Sequence, residues 1–239
     1  MSVFDKFASN YEEGHSKAVK MSGFSPSYFD EYKIIILSKI AAKFGDKEFA
    51  ILNYGCGTGK TEKYIKKYIP NAKIWSVDVS EESITTAITA NAEYADITFM
   101  YFDGEIIPTE QKYDIIFCAN VFHHIRRENH HKTLDEIYSK LNADGLFVLF
   151  ELNPLNPMTM IVAIQNDYKF DPEANLLTPS YSKKLLNKSG FRSHSIHYSI
   201  FFPNILSPLI PLEKYLSWLP LGAHYYYVAN KCENISCTC

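Results

Sequence analysis

The chain has 239 residues, enough for one large α/β domain with a true core and short for two. Hydrophobic residues make up 46% and charged ones 21%, the balance of an ordinary folded chain, and a net charge of -3 excludes the global basic field that nucleic-acid binding calls for. The start Met1-Ser2-Val3-Phe4-Asp5-Lys6 lacks the pattern of a signal peptide, and no apolar run is long enough to span a bilayer, so a cytoplasmic chain without stable membrane insertion is expected.

The first twenty residues are polar with an apolar periodicity through Phe4, Phe7, Ala8 and Tyr11, which predicts a short helix followed by a loop around Gly14 and Gly23. Ser25-Pro26 opens a second helix that carries Tyr28, Tyr32, Ile35, Ile36 and Ile40 and ends near Gly45. From there the chain alternates. Strands are predicted over Phe49–Tyr54, Lys73–Asp78, Ile97–Phe102, Tyr113–Ala119 and Gly145–Glu151. Helices are predicted through Tyr64 and Ile65 up to Pro70, over Glu81–Ala90 with Ser80 as N-cap, and over Asn129–Leu141. Short strands that are apolar on both faces and separated by helices imply a mostly parallel sheet with helices on both sides. Beyond Leu152 lie a breaker-dense loop, Asn153-Pro154-Leu155-Asn156-Pro157, helices over Met158–Ile164 and Ser180–Ser189, an extended stretch over Phe191–Phe202 and a last strand over Tyr225–Asn230. Pro203–Leu221 is apolar but broken by Pro208, Pro211 and Pro220; a pocket wall or a homodimer contact is its expected role. Of the five cysteines, Cys56 and Cys118 fall in core elements, and Cys232, Cys237 and Cys239 crowd a tail read as frayed and reduced.

The strongest chemical signal is Gly55-Cys56-Gly57-Thr58-Gly59, where an apolar strand runs into three alternate glycines and then a helix. Glycines turn the chain sharply and admit a ligand with no Cβ in the way, while the helix start beyond leaves free N–H donors. Asp78 ends the next strand, where a carboxylate can accept from both hydroxyls of a ribose; the competing reading is a helix-capping aspartate. Asp103-Gly104 ends the third strand and can accept from an adenine amino group; the competing reading is a plain turn. Together these strand ends are the layout for an adenosyl group at the carboxyl edge of a doubly wound sheet. The glycines fit neither the dinucleotide spacing nor the phosphate-binding P-loop, since the glycine four residues before Gly59 that Lys60-Thr61 would need is missing.

With these motifs the chain resembles the class I S-adenosylmethionine (SAM)-dependent methyltransferases, the UbiE-like methyltransferase type 11/12 group, strongly over about residues 45–151. The glycine loop matches the family's first motif, Asp78 its ribose-binding acid and Asp103 its adenine-binding acid. The stretch Tyr113–Ile125, which includes Ala119-Asn120-Val121-Phe122-His123-His124, matches the motif bordering the methyl group. The resemblance implies a Rossmann-like doubly wound α/β fold with a seven-stranded sheet of order 3-2-1-4-5-7-6, strand 7 antiparallel, and an N-terminal helical lid. It divides the chain into residues 1–45 as lid and substrate-side segment, 46–231 as the SAM-binding domain and 232–239 as a flexible tail. SAM, leaving as S-adenosylhomocysteine (SAH), would be held by Tyr11, Asn53, Tyr54, Gly55, Cys56, Gly57, Thr58, Gly59, Asp78, Val79, Ser80, Asp103, Gly104, Ala119, Asn120 and Val121. One departure stands out: the family usually carries Asp or Glu where this chain has Asn53, an acid that supports the loop and the methionine amino group.

Methyl transfer asks mainly for alignment and, for some acceptors, removal of a proton. His124 and His123, at the mouth of the site, are candidates for that base, and Glu151 at the end of strand five is a candidate to orient the acceptor or a buried structural acid. Glu128, His130 and His131 are read as a solvated helix start, and no metal is expected. Tyr11 and His15 fall in the expected lid. The expected reaction is methylation, at oxygen first, of a small-molecule or lipid- or glycan-linked acceptor. The alternatives are an aminopropyltransferase, which would want an acid where Asn120 stands, and a non-catalytic SAM-binding protein.

Overall fold

The computed structural model describes residues 22–165, 175–191 and 193–231. The expected N-terminal helix with Tyr11 and His15, and the cysteine tail, lie outside these described residues.

Seven strands form one sheet of order β3-β2-β1-β4-β5-β7-β6. They are β1 (Phe49–Tyr54), β2 (Ala72–Asp78), β3 (Ile97–Tyr101), β4 (Tyr113–Ala119), β5 (Leu141–Leu152), β6 (Ser193–Ser199) and β7 (His224–Asn230). β7 runs antiparallel to both β5 and β6; the pairs among β1 to β5 are parallel. The expected order and the reversed strand are therefore present. The helices are α1 (Pro26–Ala41), α2 (Glu62–Tyr68), α3 (Glu81–Ala90), α4 (His130–Lys140), α5 (Pro157–Gln165) and α6 (Pro179–Lys188).

The period-two pattern of the central strands sorts side chains into two core layers. Ala50, Leu52 and Tyr54 of β1 join Ile116 and Cys118 of β4 and Phe147 and Leu149 of β5 on one face. Phe49 and Ile51 join Ile115, Phe117, Val148 and Phe150 on the other. Every β1 residue is buried, and all but Asn53 bring apolar or aromatic side chains to the two layers.

α1 starts as its sequence asks, with Pro26 in the first turn. Its buried residues are Lys33, Ile34, Leu37 and Ala41, with Ile36 and Ile40 partly buried against the same core layer. Ile34 and Leu37 pack with Ile51, Ile65 and Phe117, and burying side chains of this size contributes roughly 1.5–3 kcal/mol each. So α1, inside the segment expected as lid, is part of the packed body.

Two connections position the site. β1 is flanked by β2 on one side and β4 on the other, so the crossovers from β1 and from β3 leave in opposite directions and open a crevice at the carboxyl edge. Asn153, fully buried, donates from Nδ2 to the carbonyls of Pro220 (3.2 Å) and Gly222 (2.8 Å), and Asn156 to that of Leu221 (2.6 Å). This fastens the breaker loop to the turn before β7. The segment before it, Asn204–Tyr215, is a 3-10 run kinked at Leu206 and broken by Pro208 and Pro211, as its prolines dictate. Buried Glu213 ties it to α1 by accepting from Tyr32 Oη at 2.7 Å.

Candidate functional site

A cavity of about 620 Å³ opens at the crevice. Its floor is the glycine loop. Gly55 (φ +76°) sits against Val121, where an added Cβ would lie 2.4 Å from Val121 Cγ2, so only glycine fits. Gly57 (φ +54°) is the opposite case: among the described residues a Cβ there meets nothing within 4 Å, and Gly57 belongs to the cavity lining. The Gly55 and Cys56 amides donate to the Val77 carbonyl at 2.8 and 3.0 Å, and the Gly59 carbonyl accepts from Asn91 Nδ2 at 2.9 Å. The loop is thus held from both sides before any ligand arrives.

Asp78 lies at the end of β2 beside that loop. Its Oδ2 accepts the Gly57 N–H at 2.8 Å and its Oδ1 the Ser80 N–H at 2.9 Å. A carboxylate has about four acceptor sites, so capacity remains for a hydroxyl beside these amides. Burial pushes its carboxyl above the ordinary 3.8, opposed by the Ser80 and Gly57 amides. Ser80 caps α3, its hydroxyl accepting from the Ser83 N–H at 3.2 Å. Both readings of Asp78 therefore meet in one residue: it braces backbone amides and still faces the cavity with Val79 and Ser80.

Asp103 is exposed and closes a turn, its Oδ1 accepting from the Glu105 (2.9 Å) and Ile106 (3.1 Å) amides, which hold its carboxyl below the ordinary 3.8. With Gly104 it borders the same cavity. At the end of β4, Ala119, Asn120 and Val121 form the wall between glycine loop and His124. Asn120 adopts a left-handed φ of +58°, and its buried Oδ1 has no hydrogen-bond partner among the described residues. An unpaired buried acceptor costs about 1–3 kcal/mol, so this wall is built to receive a donor.

The histidines separate by role. His124 lines the cavity. His123 does not: it is 1% exposed, with Nδ1 2.7 Å from Oε2 of fully buried Glu151, whose Oε1 accepts the Phe122 N–H at 2.9 Å. The two imidazole rings lie 4.1 Å apart. His123 and Glu151 thus form a support beneath His124, and neither touches the cavity. His130 corrects the reading of a solvated helix start. It is fully buried, with Nε2 3.0 and 2.9 Å from the Phe122 and Ile125 carbonyls and Nδ1 3.1 Å from Tyr181 Oη. Two carbonyl acceptors require the proton on Nε2. Among the described residues no group of three or more His, Cys, Asp or Glu could hold a metal ion.

Asn53 and Tyr54 border the cavity from β1, with Cys56 and Thr58 in the loop itself. Several lining residues carry no motif signal: Asp30 and Lys33 on α1, paired at 3.6 Å, and Arg126, Lys132 and Thr133 around α4. The largest omission is Glu62, fully buried at the start of α2 and bonded to Asn53 and Ser76. An acid in a helix's first turn reads as a partner for the helix dipole, and nothing local marks it as buried. No residue of Pro203–Leu221 lines this cavity, so the pocket-wall expectation for that segment is not met here. Ile205 and Trp218 are instead 88% and 72% exposed. No helix among the described residues is long and apolar enough to cross a membrane.

The comparisons agree with this geometry. A family model described as a methyltransferase domain matches residues 51–145. The malonyl-[acyl-carrier protein] O-methyltransferase 1 of Ilyobacter polytropus is 33% identical over 99 residues, 41% of this chain and 36% of that protein. The malonyl-[acyl-carrier protein] O-methyltransferase of Priestia megaterium is 29% identical over 110 residues, 46% of this chain and 39% of that one. The match therefore spans well under half the length of these curated relatives. Among solved structures, the plantazolicin methyltransferase BpumL, in complex with a monoazolic desmethylPZN analog and SAH, shares the fold at a TM-score of 0.66 and 17% identity, covering 97% of this chain and all of that one. Residues 51–145 thus match a methyltransferase domain, and the chain as a whole shares its fold with a solved methyltransferase.

Proposed function

We propose that the chain binds SAM along the carboxyl edge of its sheet and methylates a small-molecule or carrier-, lipid- or glycan-linked acceptor, at oxygen. The carrying observation is the Asp78 carboxylate, which grips the Gly57 amide at 2.8 Å beside an open backbone cradle and keeps acceptor capacity for a ribose diol. The named relatives act on the malonyl group of an acyl-carrier protein, which supports an oxygen acceptor here.

SAM would supply a methyl group already activated by its positive sulfur. The chain's own residues do the rest. The glycine loop and Asp78 fix the nucleoside end, and Asp103 and Gly104 stand at its far side. Asn120 presents a buried acceptor on the wall that also carries His124. His124 takes the proton of a hydroxyl acceptor as the carbon–oxygen bond forms, its ring held against His123, which Glu151 fixes in turn. A carboxylate acceptor would need no base, and Arg126 on the same lining would then orient it. Calorimetric titration with SAM and with SAH tests the reading: saturable one-to-one binding of both is expected, and a folded protein that gave no heat with either would refute it.

A further inference from the structure

The cofactor reading leaves one electrostatic problem. The end of SAM that bears the amino acid carries an α-ammonium, and the resemblance expects an acid at position 53 to face it. This chain has Asn53, 3% exposed and on the cavity lining. Both hydrogens of its Nδ2 are already used, one toward Thr61 Oγ1 at 3.0 Å and one toward Glu62 Oε1 at 2.8 Å. What the amide has left to offer the cavity is its oxygen, an acceptor.

Behind it, Glu62 is fully buried. Its Oε1 also accepts from Ser76 Oγ at 2.7 Å, and its Oε2 from Thr61 Oγ1 at 3.2 Å. Three side chains donate into it, and among the described residues no Lys, Arg or His forms an ion pair with it. Buried charges in proteins are paired, and among the described residues this one has hydrogen-bond donors but no cationic partner. One residue away lies a cavity that is to hold a cation.

We propose that Glu62, acting through Asn53, supplies the negative charge that holds the α-ammonium of SAM, so that the acid missing from the end of β1 has moved to the start of α2. The inference rests on the SAM reading above and makes Glu62 a positioning residue, not a catalytic one. The donor chain runs Asn53 to Glu62, which polarises the Asn53 oxygen toward the cation. Burial pushes the Glu62 carboxyl above its ordinary 4.5 while Ser76, Asn53 and Thr61 oppose that, so an added cation nearby favours the charged form.

The competing account is a purely structural hub that ties α2 to β1 and β2. Two ligands separate the accounts: SAH, which has the ammonium, and 5′-methylthioadenosine, which shares the nucleoside and thioether but lacks the amino-acid end. Titration of wild type, Glu62→Gln and the exchange variant Asn53→Asp/Glu62→Gln measures both. Glu62→Gln is expected to weaken SAH by about tenfold or more while changing 5′-methylthioadenosine by less than about twofold. The exchange variant, with the acid at 53 and the amide at 62, is expected to return SAH affinity to within about threefold of wild type. Equal loss for both ligands in Glu62→Gln, or no loss for SAH, would overturn the proposal. If Glu62→Gln does not fold, the exchange variant decides: near-normal SAH affinity supports the proposal, and loss of SAH with 5′-methylthioadenosine retained overturns it. Wild-type protein that bound neither ligand would instead remove the SAM reading itself, and the proposal with it.

Discussion

His123 Nδ1 stands 2.7 Å from Glu151 Oε2, both side chains sealed from solvent, and the ring of His123 lies 4.1 Å from that of cavity-lining His124. The same carboxylate accepts the Phe122 amide, so it fixes the turn after β4 as well as the ring. Glu151→Gln keeps the shape and removes the charge. We expect it to lower the free energy of unfolding by about 1–3 kcal/mol in urea denaturation while SAH affinity stays within about threefold. A stability equal to wild type would show that the pair does not support the turn.

His124→Ala removes the imidazole proposed as base and leaves the glycine loop and Asp78 as they are. Turnover of a hydroxyl acceptor should fall by about 10²–10⁴ with SAH affinity nearly unchanged. Steady-state kinetics beside calorimetry checks this, and unchanged turnover would remove His124 as the base.

Gly57→Ala tests the cradle. Its backbone has φ +54° and open space where a Cβ would stand, so the cost in stability is about 1–2 kcal/mol of backbone strain and no clash. The added methyl would occupy the ligand's approach, and SAH affinity should fall by more than about tenfold. Loss of stability without loss of affinity would place the ligand elsewhere.

How much of this was legible in the sequence follows from how local each signal is. The two-face burial of β1 could be read because its side chains, Asn53 excepted, are apolar or aromatic on both faces. The strand order could not be read from periodicity; it came with the resemblance. On α1, two apolar sets share the helix, and only packing against Ile51 and Phe117 selects Ile34 and Leu37. Asp78 was legible as an acid at a strand end, but its grip on Gly57 joins residues 21 apart. Glu62 and His130 were missed for the same reason. Each looks like a polar residue at a helix start, and each is buried by partners from other elements: Ser76 and Asn53 for the one, Phe122 and Tyr181 for the other.

His130 carries a pH prediction. Burial holds its pKa below the ordinary 6.5, so the folded chain keeps it neutral where the unfolded chain would take a proton. The stabilisation is complete above that ordinary value and is lost as pH falls through it. Between about pH 7.5 and about pH 5.5 wild type should lose more unfolding free energy than His130→Gln does. Equal losses would mean that His130 does not titrate on unfolding.

The most direct test of the central claim is a crystal structure with SAH bound. The ribose hydroxyls are expected on the Asp78 carboxylate, the adenine beside Asp103 and Gly104, and the backbone of Gly57 against the ligand. Density for SAH away from the glycine loop, with no ligand hydroxyl on the Asp78 carboxylate, would contradict the account.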